Sequence, residues 1–179
     1  ASDGGYFACS SGKIAYVWSP DRSQPVSLEH QSTVGGLAFN AGRNQLAVAH
    51  YGGVTIWTRR GIKWTKSALT WKGFHTTVTF SPNGKFVVST MQENALHGWR
   101  LSDNADFSMS PYPAKIKSIA WAGNTPYLVT SGASEAVCWP FKGKDGPMGK
   151  GPICVAARKQ IVSCVQGFPD VNGVLAGFH

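Results

Sequence analysis

The chain of 179 residues is short of charge, of acid and of sulfur: 15% of its residues are charged, nine are Asp or Glu, four are Cys and three are Met. Soluble domains ordinarily carry roughly 25% charged residues. The deficit argues against long solvent-facing helices and for sheets packed on both faces. Long apolar runs are also missing. The longest stretch without a charge, Ser118 to Ser134, is interrupted by Gly123, Asn124, Pro126 and Gly132, so no membrane span is read. The opening ASDGGYF has no initiator Met, basic segment or apolar core, so no signal peptide is read either. Cys9, Cys138, Cys154 and Cys164 form no CxxC, and YFACS, AVCWP and IVSCV set three of them in apolar runs. Reduced core thiols are expected rather than disulfides or metal ligands, and with them a reducing, cytoplasmic compartment.

What the chain does contain is 42% hydrophobic and 12% aromatic residues with 21 Gly and 10 Pro, the composition of a folded, turn-rich globular protein. Seventeen Lys and Arg leave a net charge of +8, which would attract polyanions. The tryptophans carry a period. Trp18, Trp57, Trp99 and Trp139 end the runs IAYVW, VTIW, ALHGW and EAVCW at spacings of 39, 42 and 40 residues. Phe39, Phe80 and Trp121 keep phase with them, 18, 19 and 18 residues before the next Trp. Turn pairs Asp3-Gly4, Ala41-Gly42, Asn83-Gly84 and Gly123-Asn124 stand between the two markers.

Between turn and Trp each unit has two apolar runs of strand length around a polar or Gly-rich break, as in LAVAHYGGVTIW and YLVTSGASEAVCW. Such runs read as hairpins, and no window holds a 3.6-residue period. Each unit is therefore strand, turn, strand, turn, strand, with room for a fourth strand in the polar segment that follows.

A repeat of this length and pattern resembles the WD-repeat β-propellers, whose four-stranded antiparallel blades surround a channel. AVAHYGGVTIW and MQENALHGWRL look most like bacterial WD-repeat proteins of unassigned function. His30 and His75 stand where the family's Gly-His precedes the innermost strand, with Pro113 or a neighbour in the third unit; Thr58, Arg100 and Pro140 follow the Trp where Asp is usual. The resemblance implies an all-β domain with a partial blade at 1–28, blades at 29–70, 71–110 and 111–158, and a partial blade at 159–179. About four blades fall short of the roughly seven that usually close such a ring, so a fragment of a larger propeller is expected.

No catalytic constellation emerges, and neither enzyme activity nor a cofactor or metal is expected. Asp103 and Asp106 read as solvated turn residues, and no GxSxG, HExxH or P-loop occurs. GKDGPMGKG suggests a phosphate nest only weakly, and a flexible loop is the better reading. His30, His50, His75 and His97 lie near blade ends, where hydrogen bonding within the blade outweighs a metal site. Two interaction surfaces remain. Loops joining the strands would present His30, Gln31, His50, Tyr51, Phe74, His75, Gln92, Glu93, Asn94, Tyr112, Lys115, Ser134 and Glu135, a mixture suited to a protein partner. Arg59, Arg60, Lys63, Trp64, Lys66, Trp71 and Lys72 interleave basic and aromatic residues as a nucleic-acid surface does. The expected function is a non-enzymatic scaffold binding protein through the loop face; the alternative is a basic propeller associated with nucleic acid or a ribonucleoprotein.

Overall fold

The computed structural model describes residues 5–40, 42, 44–168 and 170–179, and among these every regular element is a strand. The turn residues Asp3, Gly4 and Ala41 lie outside that set. Two compact units divide the chain: the first runs to Phe80 and adds Val87–Gln92, and the second comprises Ser81–Phe86 and Glu93–His179.

In the first unit β1 (Phe7–Ser11), β2 (Ile14–Trp18) and β3 (Val26–Glu29) form an antiparallel three-stranded sheet in chain order. β4 (Gly36–Asn40), β5 (Gln45–Arg60), β6 (Lys63–Phe80) and β7 (Phe86–Met91) follow as antiparallel neighbours. β5 is two strands in one. Sixteen extended residues would span about 50 Å, yet the Arg59 N–H reaches the Asn44 carbonyl at 2.8 Å, and His50 Nε2 lies 2.8 Å from Thr55 Oγ1. The chain doubles back at Tyr51-Gly52-Gly53, where Gly52 and Gly53 have φ of 92° and 137°, a region closed to most side chains. β6 also serves twice: Lys63–Thr70 pairs with β5 as an outer strand, then His75–Phe80 pairs with β7 as the innermost strand of the next repeat.

Gly35 and Gly36 allow two innermost strands to touch. A Cβ on Gly35 would collide with the His75 carbonyl, and one on Gly36 would come within 2.8 Å of the Thr77 Cα. Beneath this approach Ala15, Val17, Leu28, Val34, Leu46, Val48 and Trp57 form the core of the unit, with Phe39 and Trp64 packed on its margin. Each large side chain so buried stabilises the fold by roughly 1.5–3 kcal/mol.

In the second unit β8 (Leu96–Arg100) and β9 (Asp106–Met109) make a hairpin. β10 (Ile119–Ala122), β11 (Tyr127–Thr130), β12 (Ala136–Pro140) and β13 (Ile153–Val155) make a complete four-stranded antiparallel sheet, and β14 (Val162–Phe168) and β15 (Gly173–Phe178) a further pair. Gly167 repeats the close approach, since a Cβ there would strike the Trp121 carbonyl. Phe86, Phe107, Phe141 and Trp121 stack edge to face, with centroids 4.9 to 6.2 Å apart. The phased aromatics fall where the period requires: Phe39 on β4, Phe80 on β6, Trp121 on β10, and Trp57, Trp99 and Trp139 near the ends of β5, β8 and β12.

The cysteines correct the expectation of core thiols. All four are free, but only Cys138 is buried; Cys9, Cys154 and Cys164 are exposed. A run of apolar letters conceals the alternation of a strand, and β1 and β13 turn nearly every residue outward. Burial raises the Cys138 thiol above its ordinary pKa, so this one is chemically quiet.

Candidate functional site

The repeated Trp needs an acceptor for its indole N–H, and the repeats supply different ones. In the first unit Trp57 Nε1–H donates to His30 Nε2 at 3.0 Å. In the second unit Trp139 Nε1–H donates to the Tyr112 hydroxyl at 2.6 Å, which also meets Thr130 Oγ1 at 2.6 Å. Tyr112 thus takes the place that the sequence left to Pro113 or a neighbour. It is only 6% exposed, and burial raises its pKa. It belongs to the blade interior rather than to the loop face.

His75 needs the same correction. It is fully buried; its Nε2–H donates to the Trp71 carbonyl at 3.1 Å, and its Nδ1 accepts from Ser89 Oγ at 2.7 Å. No loop precedes it to lift it into solvent, because β6 runs unbroken from outer to inner strand. His97 is likewise fully buried, with Nδ1 3.0 Å from Ser108 Oγ and Nε2 3.2 Å from Asp106.

The remaining loop-face residues of the first unit gather around the β5 turn. Tyr51 is 56% exposed at its tip. His50 stands behind it with both ring nitrogens committed: Nδ1–H donates to the Tyr51 carbonyl at 2.8 Å, leaving Nε2 to accept from Thr55. The His50 ring lies 5.5 Å from that of His30. Burial first, then His50, holds the His30 imidazole below its ordinary pKa and favours the neutral form that accepts from Trp57. His30, Gln31, His50 and Tyr51 line a groove of about 670 Å³, with Thr55, Lys66, Ala68 and Thr70 as another wall. Phe74 is half-buried and Gln92 exposed, its N–H bonded to the Phe74 carbonyl. In the second unit Glu93 and Asn94 are exposed, whereas Lys115, Ser134 and Glu135 are half-buried. The Asn94 carbonyl accepts from the Tyr112 N–H at 3.2 Å.

The basic and aromatic set does not form one surface. Arg59 lies over the Tyr6 ring at 4.6 Å, and Trp64 lines a crevice with both. Lys66 stands over Trp57 at 5.7 Å. Arg60 and Lys63 pair across the next turn, one residue out of phase with Arg59 and Trp64 and hence on the opposite face of the sheet. Trp71 and Lys72 are exposed farther along β6.

Two weaker candidates resolve into structure. In GKDGPMGKG the Lys150 ammonium donates to the Lys142 and Gly146 carbonyls, each at 2.7 Å, so carbonyl oxygens are gathered about a cation. A phosphate nest would gather N–H groups instead. Arg100 bridges Asp103 and Asp145, and its hydrogen bonds hold the Asp103 carboxyl at a pKa of about 2. Asp103 is a poor proton donor at neutral pH. No group of three or more metal-ligating side chains occurs among the described residues.

No protein-family model matches the chain, and no curated protein matches it in sequence. Solved structures do. The structure of U3-55K superposes with a TM-score of 0.71 at 18% identity, covering 100% of this chain and 58% of that one. The WD40 repeats of RRP9 superpose with a TM-score of 0.70 at 18% identity, covering 100% of this chain and 57% of that one. The fold is therefore that of WD40 β-propellers, in antiparallel four-stranded blades of which this chain supplies about four.

Proposed function

We propose that this chain is a non-enzymatic interaction scaffold that holds a protein partner on the loop surface around Tyr51. One observation carries the reading. A large aromatic is exposed at the tip of a hairpin whose base is locked by His50, Thr55 and buried core, beside a groove of about 670 Å³. An aromatic presented on an ordered hairpin beside a cavity offers a large contact area at a modest entropic cost, which is how interface anchors gain affinity. WD40 structures present such loops as a rule, and the analogy is one of fold. A reducing, cytoplasmic setting is part of the proposal. Three exposed free thiols suit it better than an oxidising compartment.

Capture from the source cell tests this, with the full chain and its Tyr51→Ala variant immobilised at low and high salt. The scaffold reading expects a protein retained between about 50 and about 200 mM salt and lost with Tyr51→Ala. Retention through phosphate contacts would instead fall about 10³-fold or more over that range if six or more phosphates are neutralised. That result would favour the nucleic-acid alternative.

A further inference from the structure

The groove beside Tyr51 contains a cation, Lys66, that makes no ion pair among the described residues. Its ammonium is held over the Trp57 indole at 5.7 Å, and Trp57 is itself tied to His30. Lys66, Ala68 and Thr70 pair with Trp57, Thr55 and Gly53 and alternate along one face of β6, so the side chains following the lysine in the wall are small. Space for a ligand therefore opens directly beside a positioned positive charge.

The histidines narrow the ligand. His50 has no lone pair to give, and His30 Nε2 already accepts from Trp57, so a metal ion would have to break the hydrogen bonds that hold the blade. A nucleic-acid strand needs cations in series along its phosphates. Lys66 is the one Lys or Arg among the lining residues, and Glu29 lines the same groove and repels a continuous polyanion. A protein segment with an isolated carboxylate meets both conditions.

We infer that this groove receives a segment of a protein partner bearing one isolated Asp or Glu, with that carboxylate seated on Lys66 and the segment lying over Ala68 and Thr70 beside Tyr51. The inference rests on the protein-scaffold reading and gives its site a ligand chemistry. The charge-assisted contact sets register, and Tyr51 and the small-residue wall provide the contact area.

The test uses the full chain and a blocked Ala-Ala-Glu-Ala-Ala peptide as probe, followed by NMR of the His30, His50 and Tyr51 rings and by fluorescence anisotropy. This single-carboxylate peptide should shift all three rings. Lys66→Met, which keeps the stem over Trp57, should weaken binding by about tenfold or more, equivalent to about 1.4 kcal/mol. Lys63→Met removes the same charge from the opposite face and should change affinity less than about twofold. Lys66→Glu should reverse the preference towards the matching Ala-Ala-Lys-Ala-Ala peptide, and thermal melts of each variant separate loss of binding from loss of fold. Absence of ring shifts, equal weakening by the two lysine variants, or tighter binding of hexauridylate RNA at the same rings would overturn the inference. If those tests fail while a photocrosslinker at position 51 still captures a protein partner, the carboxylate site alone falls. If the crosslinker captures none, the scaffold reading falls with it.

Discussion

Residues 29–70 and 111–158 answer one structural demand with different chemistry. Each packs an indole, buried at Trp57 and half-buried at Trp139, and must satisfy its N–H; the first uses His30 and the second Tyr112 with Thr130. The blade therefore requires an acceptor at this place rather than a histidine. The two solutions differ in what they are sensitive to, because an imidazole loses its acceptor on protonation near neutrality while a phenol stays uncharged far above it. The indole hydrogen bond of the first repeat is accordingly expected to weaken on acidification, while that of the second is not.

The largest effect should come from removing the indole. Trp57 is 9% exposed and shares a buried core with Ala15, Val17, Leu28 and Leu46. Trp57→Ala should cost about 3–5 kcal/mol, enough to unfold a marginal domain. Denaturant melts check it. A loss below about 1 kcal/mol would show that the indole is peripheral and end the comparison.

Next in size is the acceptor in the second repeat. Tyr112→Phe keeps the ring and deletes the hydroxyl, leaving the Trp139 N–H without its partner and Thr130 with only its bond to the Val137 carbonyl. The expected cost is about 1–3 kcal/mol, unchanged between pH 5 and 8. A variant as stable as the parent would mean that water replaces the hydroxyl and that the interior is wetter than its packing suggests.

The pH dependence sharpens the contrast further. The folded His30 pKa is depressed, so its contribution to stability is present above the unfolded value of roughly 6.5. As pH falls below that value the unfolded chain binds the proton first, and stability is lost until the folded imidazole also titrates. His30→Gln retains an acceptor for Trp57 that cannot titrate. The parent should lose more stability than this variant between pH 7 and 5, and parallel melting curves would remove His30 as the cause. The effect should be smaller than the loss from Tyr112→Phe because His30 is only partly buried.

Much of this architecture was legible in the sequence because the packing that makes it is periodic. Phe39, Phe80 and Trp121 recur because each lies on the innermost strand of its repeat, and Trp57, Trp99 and Trp139 recur because each lies towards the end of the strand that completes a hairpin. The acceptors were less legible. His30 carried a recognisable letter at the expected place, but Tyr112 did the same work under a different one. His75 was read as a loop residue because it stands where the family's Gly-His precedes the innermost strand, whereas the backbone here is already strand and buries it. The basic and aromatic residues of β6 looked contiguous in sequence, yet a strand sends neighbours to opposite faces. Local composition could not show Lys66 standing over Trp57, because that contact depends on the register of β5 with β6.

The smallest stability effect belongs to Tyr51, and it separates a residue that builds the first repeat from one that serves it. Tyr51 occupies the turn where β5 reverses, more than half exposed, and its hydrogen bonds to Ser32 and His50 come from its backbone N–H and carbonyl. Truncating the side chain leaves those bonds intact. Gly52 and Gly53 keep the positive φ that the turn needs, so the hairpin should persist. Tyr51→Ala should therefore stay within about 0.5 kcal/mol of the parent in denaturant melts. A partner held on this face should nevertheless bind less tightly, since an exposed aromatic beside a groove is the kind of residue that anchors an interface. Trp57→Ala would lose binding only by losing the fold; Tyr51→Ala should lose it with the fold intact. If Tyr51→Ala unfolds the chain, the tip is part of the core and the interaction surface lies elsewhere; if it leaves both stability and partner capture unchanged, the groove beside it is not where the partner sits.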